Sequence, residues 1–150
     1  MTDDFLHTTL GRTGLKVFRL GLSGTYRPGA DTILRAADLG VNYFFGYGFD
    51  SHMTKALREL LRRDRERYVV ATGPYNLIWT HQNFRKTLEK RLKKLRTDYI
   101  DIFLFLGVTK EKQFPPKLRD ELRQLRDEGK IKAIGCSTHD RKFAGRLLAD

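Results

Sequence analysis

The sequence has 150 residues, 40% of them hydrophobic, enough for one domain with a buried core. Its 29 Lys and Arg against 18 Asp and Glu leave a formal charge of +11, and a single cysteine, Cys136, excludes an internal disulfide framework or a zinc site built on several thiolates. No apolar run reaches the roughly 18 residues of a membrane span, and Asp3, Asp4, His7, Arg12 and Lys16 interrupt the opening, so neither a span nor a secretory leader is expected and the default location is cytoplasmic.

The positive charge raises the question of a polyanionic partner. The basic residues, however, fall in segments of helical period: Arg58, Arg62, Arg63 and Arg65, then Arg85, Lys86, Lys90, Arg91, Lys93 and Lys94. Solvated outer helix faces account for that pattern, and nucleic acid is the lesser reading.

Along the chain, residues 9–16 carry two glycines suited to a hairpin turn, and a first buried strand is expected over residues 17–22. Gly24, Pro28 and Gly29 then break the chain. A helix over residues 30–39 sets Ile33, Leu34 and Ala37 on one face and stops at Gly40. Residues 41–45, short and rich in β-formers, read as the second strand. Met53, Ala56, Leu57, Leu60 and Leu61 complete the apolar stripe of the next helix. A third strand is expected over residues 68–72, and a helix over residues 80–95 with Phe84, Leu88, Leu92 and Leu95 inward and its basic residues outward. Residues 100–106 are nearly all apolar, as in a strand covered on both faces. A helix over residues 115–128 follows, then a fifth strand over residues 131–136. A last helix from residue 141 carries Phe143, Ala144, Leu147 and Leu148 as its stripe.

Strands alternating with amphipathic helices specify an α/β fold with a parallel sheet and crossover helices. The fold expected is a TIM-type (β/α) barrel of which only the first five strands are present, since a closed eight-stranded barrel takes about 250 residues. An unpaired last strand would invite self-association, or completion by a missing C-terminal half.

The segment Gly129-Lys130-Ile131-Lys132-Ala133-Ile134-Gly135-Cys136-Ser137 resembles the GKI(R/K)xIGxS pattern that introduces the fifth strand of the aldo/keto reductases. In the same order, LGRTGLKVFRLGLSGTY resembles the family's entrance hairpin and first strand, GVNYF its second strand, and LKKLRTDYIDIFLF its third helix and fourth strand. The resemblance spans most of residues 8–148. It implies hydride transfer between a nicotinamide cofactor, NADPH or NADP, and a small carbonyl compound. A tyrosine would donate the proton, with a lysine tuning its pKa, an aspartate pairing the lysine and a histidine orienting the carbonyl.

Where the family carries aspartate this chain has Phe45, where it carries lysine Gly73, and where it carries histidine Leu106. Tyr47, followed by Gly48, resembles the catalytic tyrosine, although the loop is shorter by several residues. Without its lysine a phenol is poorly matched to proton donation near neutrality. The expectation is therefore a reductase-like protein without standard carbonyl reduction, or else a non-catalytic binding or assembly module using the barrel top or its basic helix faces.

Gly24, Thr25 and Tyr26 stand at the end of the first strand, where the resemblance implies contact with cofactor and where a tight turn would equally need glycine. Ser137 corresponds to the serine that meets the nicotinamide amide, and Thr138 stands where asparagine is expected next. Most of the family's phosphate-binding residues lie in later strands, so binding by this chain alone is expected to be weak or absent. His52, His81 and His139 lack metal-ligand spacing, and no metal is expected. Cys136 reads as a small buried residue. Tyr43, Phe44, Phe45, Tyr47 and Phe49 read as barrel filling. A different reaction at the same face, using Tyr47, Asp50, His52 or His139, is a further alternative.

Overall fold

The computed structural model describes residues 5–77 and 83–149. The chain begins with an antiparallel hairpin of β1 (His7–Thr9) and β2 (Lys16–Phe18), with Thr8 opposite Val17. It then lays down β3 (Leu22–Ser23), β4 (Tyr43–Phe45), β5 (Val69–Thr72), β6 (Ile100–Phe105) and β7 (Ile131–Cys136) as one parallel sheet in chain order. Helices α1 (Ala30–Asp38), α2 (Ser51–Arg63), α3 (Phe84–Leu95) and α4 (Pro116–Asp127) cross between successive strands, and α5 (Arg141–Ala149) follows the last. This is the α/β alternation expected, with β3 and β7 at the edges of an open five-stranded sheet.

The expected first strand is divided. Val17 lies in the hairpin and the first strand of the parallel sheet is β3 alone, because the chain turns between Phe18 and Leu22. The apolar residues Val17, Phe18, Leu20 and Leu22 concealed that turn, although Arg19 and Gly21 interrupt them. The remaining strands fall within two residues of expectation. Thr80 and His81 lie outside the described residues, and the helix begins at Phe84 rather than at residue 80, because Asn83 has extended backbone and caps it, its side-chain oxygen accepting from the Lys86 amide at 2.8 Å.

Strand alternation divides the core into two layers. Phe44, Val70, Phe103 and Phe105 pack outward against the helices, together with Ile33, Met53, Leu57, Leu60, Leu88, Leu122 and Phe143. Val69, Ala71 and Ile102 face the opposite side and pack on Val17, with Tyr43, Phe45 and Leu104 beside them. The hairpin thus closes the end of the sheet where the strands begin. Asn42 ties it there: its side-chain oxygen accepts from the Phe18 amide at 2.7 Å, and its nitrogen donates to the Lys16 and Arg67 carbonyls at 3.0 and 3.2 Å.

The same end holds a polar network beneath the helices. Asp101, 2% exposed, accepts from Arg65 at 2.8 Å and from the Val70 amide at 3.0 Å, with Lys132 at 3.3 Å. Arg65 also donates to the carbonyls of Tyr68 and Tyr99, both at 2.9 Å, and to Thr97 at 2.8 Å, and its guanidinium lies 3.6 Å above the Tyr99 ring. All three nitrogens of this guanidinium are used, which lets Asp101 be buried beside it.

Candidate functional site

The ends of β3 and β4 build one cleft. Ser23 caps a single 3-10 turn, Gly24–Tyr26, by accepting from the Thr25 amide at 3.2 Å. Its hydroxyl also lies 2.7 Å from that of Thr25, which in turn is 3.4 Å from the Tyr47 hydroxyl. Tyr47 is held on several sides by rings: edge-on to Phe45 at 4.9 Å, stacked on Phe49 at 5.3 Å and tilted to Tyr75 at 6.5 Å. Asp50 caps α2, accepting from the Met53 amide at 3.0 Å through Oδ1. Its other oxygen, Oδ2, is buried with no hydrogen-bond donor among the described residues. A Cβ at Gly24 would come within 2.6 Å of that oxygen. Gly24, Thr25, Arg27, Tyr47, Phe49, Asp50, Ser51 and His52 line a cleft of about 350 Å3 here.

The structure therefore brings Gly24, Thr25 and Tyr47 together with Asp50 and His52. Tyr26 is 93% exposed and does not line the cleft. Ser137 and Thr138 follow β7 at the opposite edge of the sheet. The Ser137 amide donates to Phe105 and its carbonyl accepts from Val108, both at 2.9 Å, while the Thr138 hydroxyl accepts from the Asp140 amide. His139 is exposed, and no metal-ligating cluster of His, Cys, Asp and Glu occurs among the described residues. Cys136 is half-buried rather than fully so, and burial pushes its thiol pKa up. Phe49, expected as filling, is 67% exposed, because it follows the strand and lies on the cleft rim.

The strand ends that would carry the rest of a reductase site are apolar or closed. Phe45 packs in the inner layer beside Ala71 and Ile102. Leu106 is 4% exposed, donating its amide to the Pro74 carbonyl. Gly73 is buried, and a Cβ built there would stand 1.6 Å from the Leu104 carbonyl oxygen and 2.6 Å from its carbon. No side chain fits there unless the backbone moves. Tyr43, also expected as filling, is half-buried in the inner layer, where desolvation raises its phenol pKa.

A second polar position lies behind Tyr47, between the sheet and the helices. Arg91, expected on the outer face of α3, points inward and is 7% exposed. Its phase gives the reason: Phe84, Leu88, Arg91 and Leu95 lie at i, i+4, i+7 and i+11, so the inward stripe runs through the arginine. The guanidinium fills the space where a Cβ of Gly48 would lie, 0.8 Å from Nη1. Arg91 Nε and Thr72 Oγ1 are both buried and find no hydrogen-bond partner among the described residues. Lys94 reaches the same place, donating to the Gly48 carbonyl at 2.9 Å.

Comparison with known proteins places this geometry. A family model described as the aldo/keto reductase family matches residues 26–146. The chain belongs to the aldo/keto reductase family. Aldo-keto reductase YhdN from Bacillus subtilis is 29% identical to it over 160 aligned positions, which cover 87% of this chain and 46% of that protein. The NADPH-dependent D-xylose reductase of Meyerozyma guilliermondii is 28% identical, covering 81% of this chain and 46% of its own. The holo form of an aldo-keto reductase from Bacillus halodurans superposes with a TM-score of 0.78 at 20% identity, over 95% of this chain and 53% of that one, a likeness of fold. The chain spans about half the length of the curated relatives it matches.

A nicotinamide cofactor, implied by this family, meets an incomplete set of partners. The β3–β4 cleft and Ser137 lie at opposite edges of the sheet, and between them the strand ends offer Gly73 and Leu106 in place of polar side chains. The described residues do not fit the group as a whole. No helix among them is long and apolar enough to cross a membrane.

Proposed function

We propose that this chain is an aldo/keto reductase-like scaffold, related to NAD(P)-dependent oxidoreductases, that lacks standard aldehyde and ketone reduction. The observation that carries the reading is Gly73. The position of the family lysine has the Leu104 carbonyl 1.6 Å from where its Cβ would stand, so both the side chain and the space for it are gone. Tyr47 is then a hydroxyl beside Thr25 in an aromatic setting, with no described lysine or histidine in hydrogen-bond contact. A proton donor for a nascent alkoxide needs such a partner to tune it.

On this reading NADPH binding by the chain alone is weak or absent, and a carbonyl substrate is reduced only if another arrangement supplies the missing groups. The open edge of β7 is the place where another set of strands, from a C-terminal half or another copy, would pair. The test is titration of the complete protein with NADPH, followed by fluorescence, alongside reduction of an aldehyde panel. Little or no turnover is expected; robust NADPH-dependent reduction would overturn the loss of activity and leave the family assignment standing. An alternative reading, a binding or assembly module using the barrel top or the basic helix faces, rests on the cleft that keeps Thr25, Tyr47 and Asp50 while the reductase positions are vacant. Salt-sensitive binding to a nucleic acid or a phosphorylated ligand would favour it.

A further inference from the structure

Helices α2 and α3 leave an uncompensated group of positive charges. Each helix carries one carboxylate, and both are engaged: Glu59 of α2 by Arg63, and Glu89 of α3 by Lys130. Lys55 and Arg58 of α2 and Lys94 of α3 form no ion pair among the described residues, yet all three line one hollow of about 270 Å3, open to solvent, between the first half of α2 and the last turn of α3. Phe49, Asp50 and Ser51 complete its rim.

Two of the cations are positioned by backbone. Arg58 donates through Nε to the Lys94 carbonyl, and Lys94 donates through Nζ to the Gly48 carbonyl at 2.9 Å. The Arg58 guanidinium thus sits against the turn of α3 that carries Lys94, and its two terminal nitrogens have no acceptor among the described residues. Lys55 stands one turn before Arg58 on the same face of α2. A cation beside a helix C-terminus is ordinary dipole complementarity, and it accounts for the Nε contact. It does not account for three positive charges gathered round a concave surface, where they repel one another and focus a positive potential. The one carboxylate on the walls, Asp50, is 6% exposed and turned to the Met53 amide at 3.0 Å.

A guanidinium fork flanked by two ammonium groups suits a phosphoryl dianion, which accepts two parallel hydrogen bonds from the fork. The volume holds far more than one ion but is below the roughly 300–1,000 Å3 of a pocket for a drug-sized molecule, so a dinucleotide is too large. Phe49, 67% exposed and stacked on Tyr47 at 5.3 Å, adds an aromatic wall beside the charges. We propose that this hollow binds a small aromatic phosphomonoester, its phosphoryl group taken by Arg58, Lys55 and Lys94 and its ring laid against Phe49. The hollow is outside the β3–β4 cleft and meets it only at Phe49, Asp50 and Ser51. The inference gives the binding-module reading a ligand class and a place. It is independent of carbonyl reduction: aldehyde turnover would leave this site standing, and failure here would leave the reductase-like scaffold standing.

Calorimetric titration of the full chain with phenyl phosphate and with inorganic phosphate, at low ionic strength, tests the site. Saturable binding of one phenyl phosphate is expected, weakened by added salt. Arg58→Gln should weaken it by about tenfold or more, and Lys55→Gln by about two- to fivefold. Phe49→Ala should weaken phenyl phosphate by about three- to tenfold and leave inorganic phosphate unchanged. Lys142→Gln, which removes the same charge from exposed α5, should bind as wild type does. Circular dichroism of each variant checks that it is folded, and amide shifts in wild type on adding phenyl phosphate should centre on residues 49–58 and 94. Absence of saturable binding would overturn the site, as would equal losses in Arg58→Gln and Lys142→Gln or shifts spread over all helices. Inorganic phosphate binding as tightly as phenyl phosphate would overturn the aromatic ester as its ligand.

Discussion

Arg65 and Arg91 both reach into the layer between sheet and helices, but from opposite ends, and their surroundings differ. At the end where strands begin, Arg65 meets Asp101, two carbonyls, a threonine and an aromatic face. At the end where strands finish, Arg91 meets a glycine backbone and an apolar wall, and Thr72 and Asp50 nearby each keep an unpaired oxygen. Barrel folds divide labour in this way, with structural contacts at the start of the strands and ligand chemistry at their ends. The two arginines show that division through hydrogen-bond satisfaction alone. A complete network stabilises the fold, whereas an incomplete one leaves the desolvation of its polar groups uncompensated.

Substitutions can break or sharpen the contrast. The largest effect is expected from Asp101→Ala, which leaves the half-buried Arg65 and the Val70 amide without their carboxylate; urea denaturation should show a loss of about 3 kcal/mol. A loss below about 1 kcal/mol would put the two ends on an equal footing. Next comes Gly73→Ala, where the added methyl meets rigid backbone at Leu104; about 1–3 kcal/mol is expected, with the same measurement. Gly48→Ala meets only the movable end of Arg91, so about 1 kcal/mol is expected, and a far greater loss would show that Arg91 is held as firmly as Arg65.

The smallest effect concerns pH and the outer surface. Arg85 donates twice to Glu128, at 2.7 and 2.6 Å, and this hydrogen bonding holds the carboxyl down to about 2 from an ordinary 4.5. A carboxylate depressed on folding contributes stability that is present above its unfolded pKa and lost as pH falls through the folded one. Denaturation of wild type and Glu128→Gln should therefore differ by a constant amount above about pH 4.5, and the difference should shrink toward about pH 2. Both groups are partly solvated, so added salt should reduce it.

Much of this organisation was legible in the sequence because periodicity is a local signal. Met53, Ala56, Leu57, Leu60 and Leu61 announced the buried face of α2, and all are buried. The motif around Gly135 and Cys136 placed β7. Arg91 was misread because its type outweighed its phase: the helical count places it inward, and charge argued for the surface. Phe49 failed in the reverse direction, an aromatic ring that hydrophobicity sends inward and loop geometry leaves on the rim. The division of residues 17–22 is marked only by Gly21, and a lone glycine among apolar residues reads as readily as part of a strand. The closeness of Gly73 to Leu104 depends on how two strands approach in space, and no pattern along one strand encodes it. Of the candidate site, Gly24, Thr25 and Tyr47 were found from the family resemblance, whereas the burial of Asp50 and Thr72 required coordinates.

The single side chain of Asn42 has a dynamic consequence. It grips the hairpin through Phe18 and Lys16 and the start of β5 through Arg67, while its own carbonyl accepts from the Val69 amide at 2.7 Å. A hairpin of two three-residue strands would ordinarily fray independently of the sheet it covers. Here, releasing the Phe18 amide breaks the same anchor that aligns β4 with β5. The entrance hairpin and the first crossover therefore open as one cooperative unit, and the Phe18 amide should exchange with solvent at the rate of Val69, not at the rate of the exposed turn between β1 and β2.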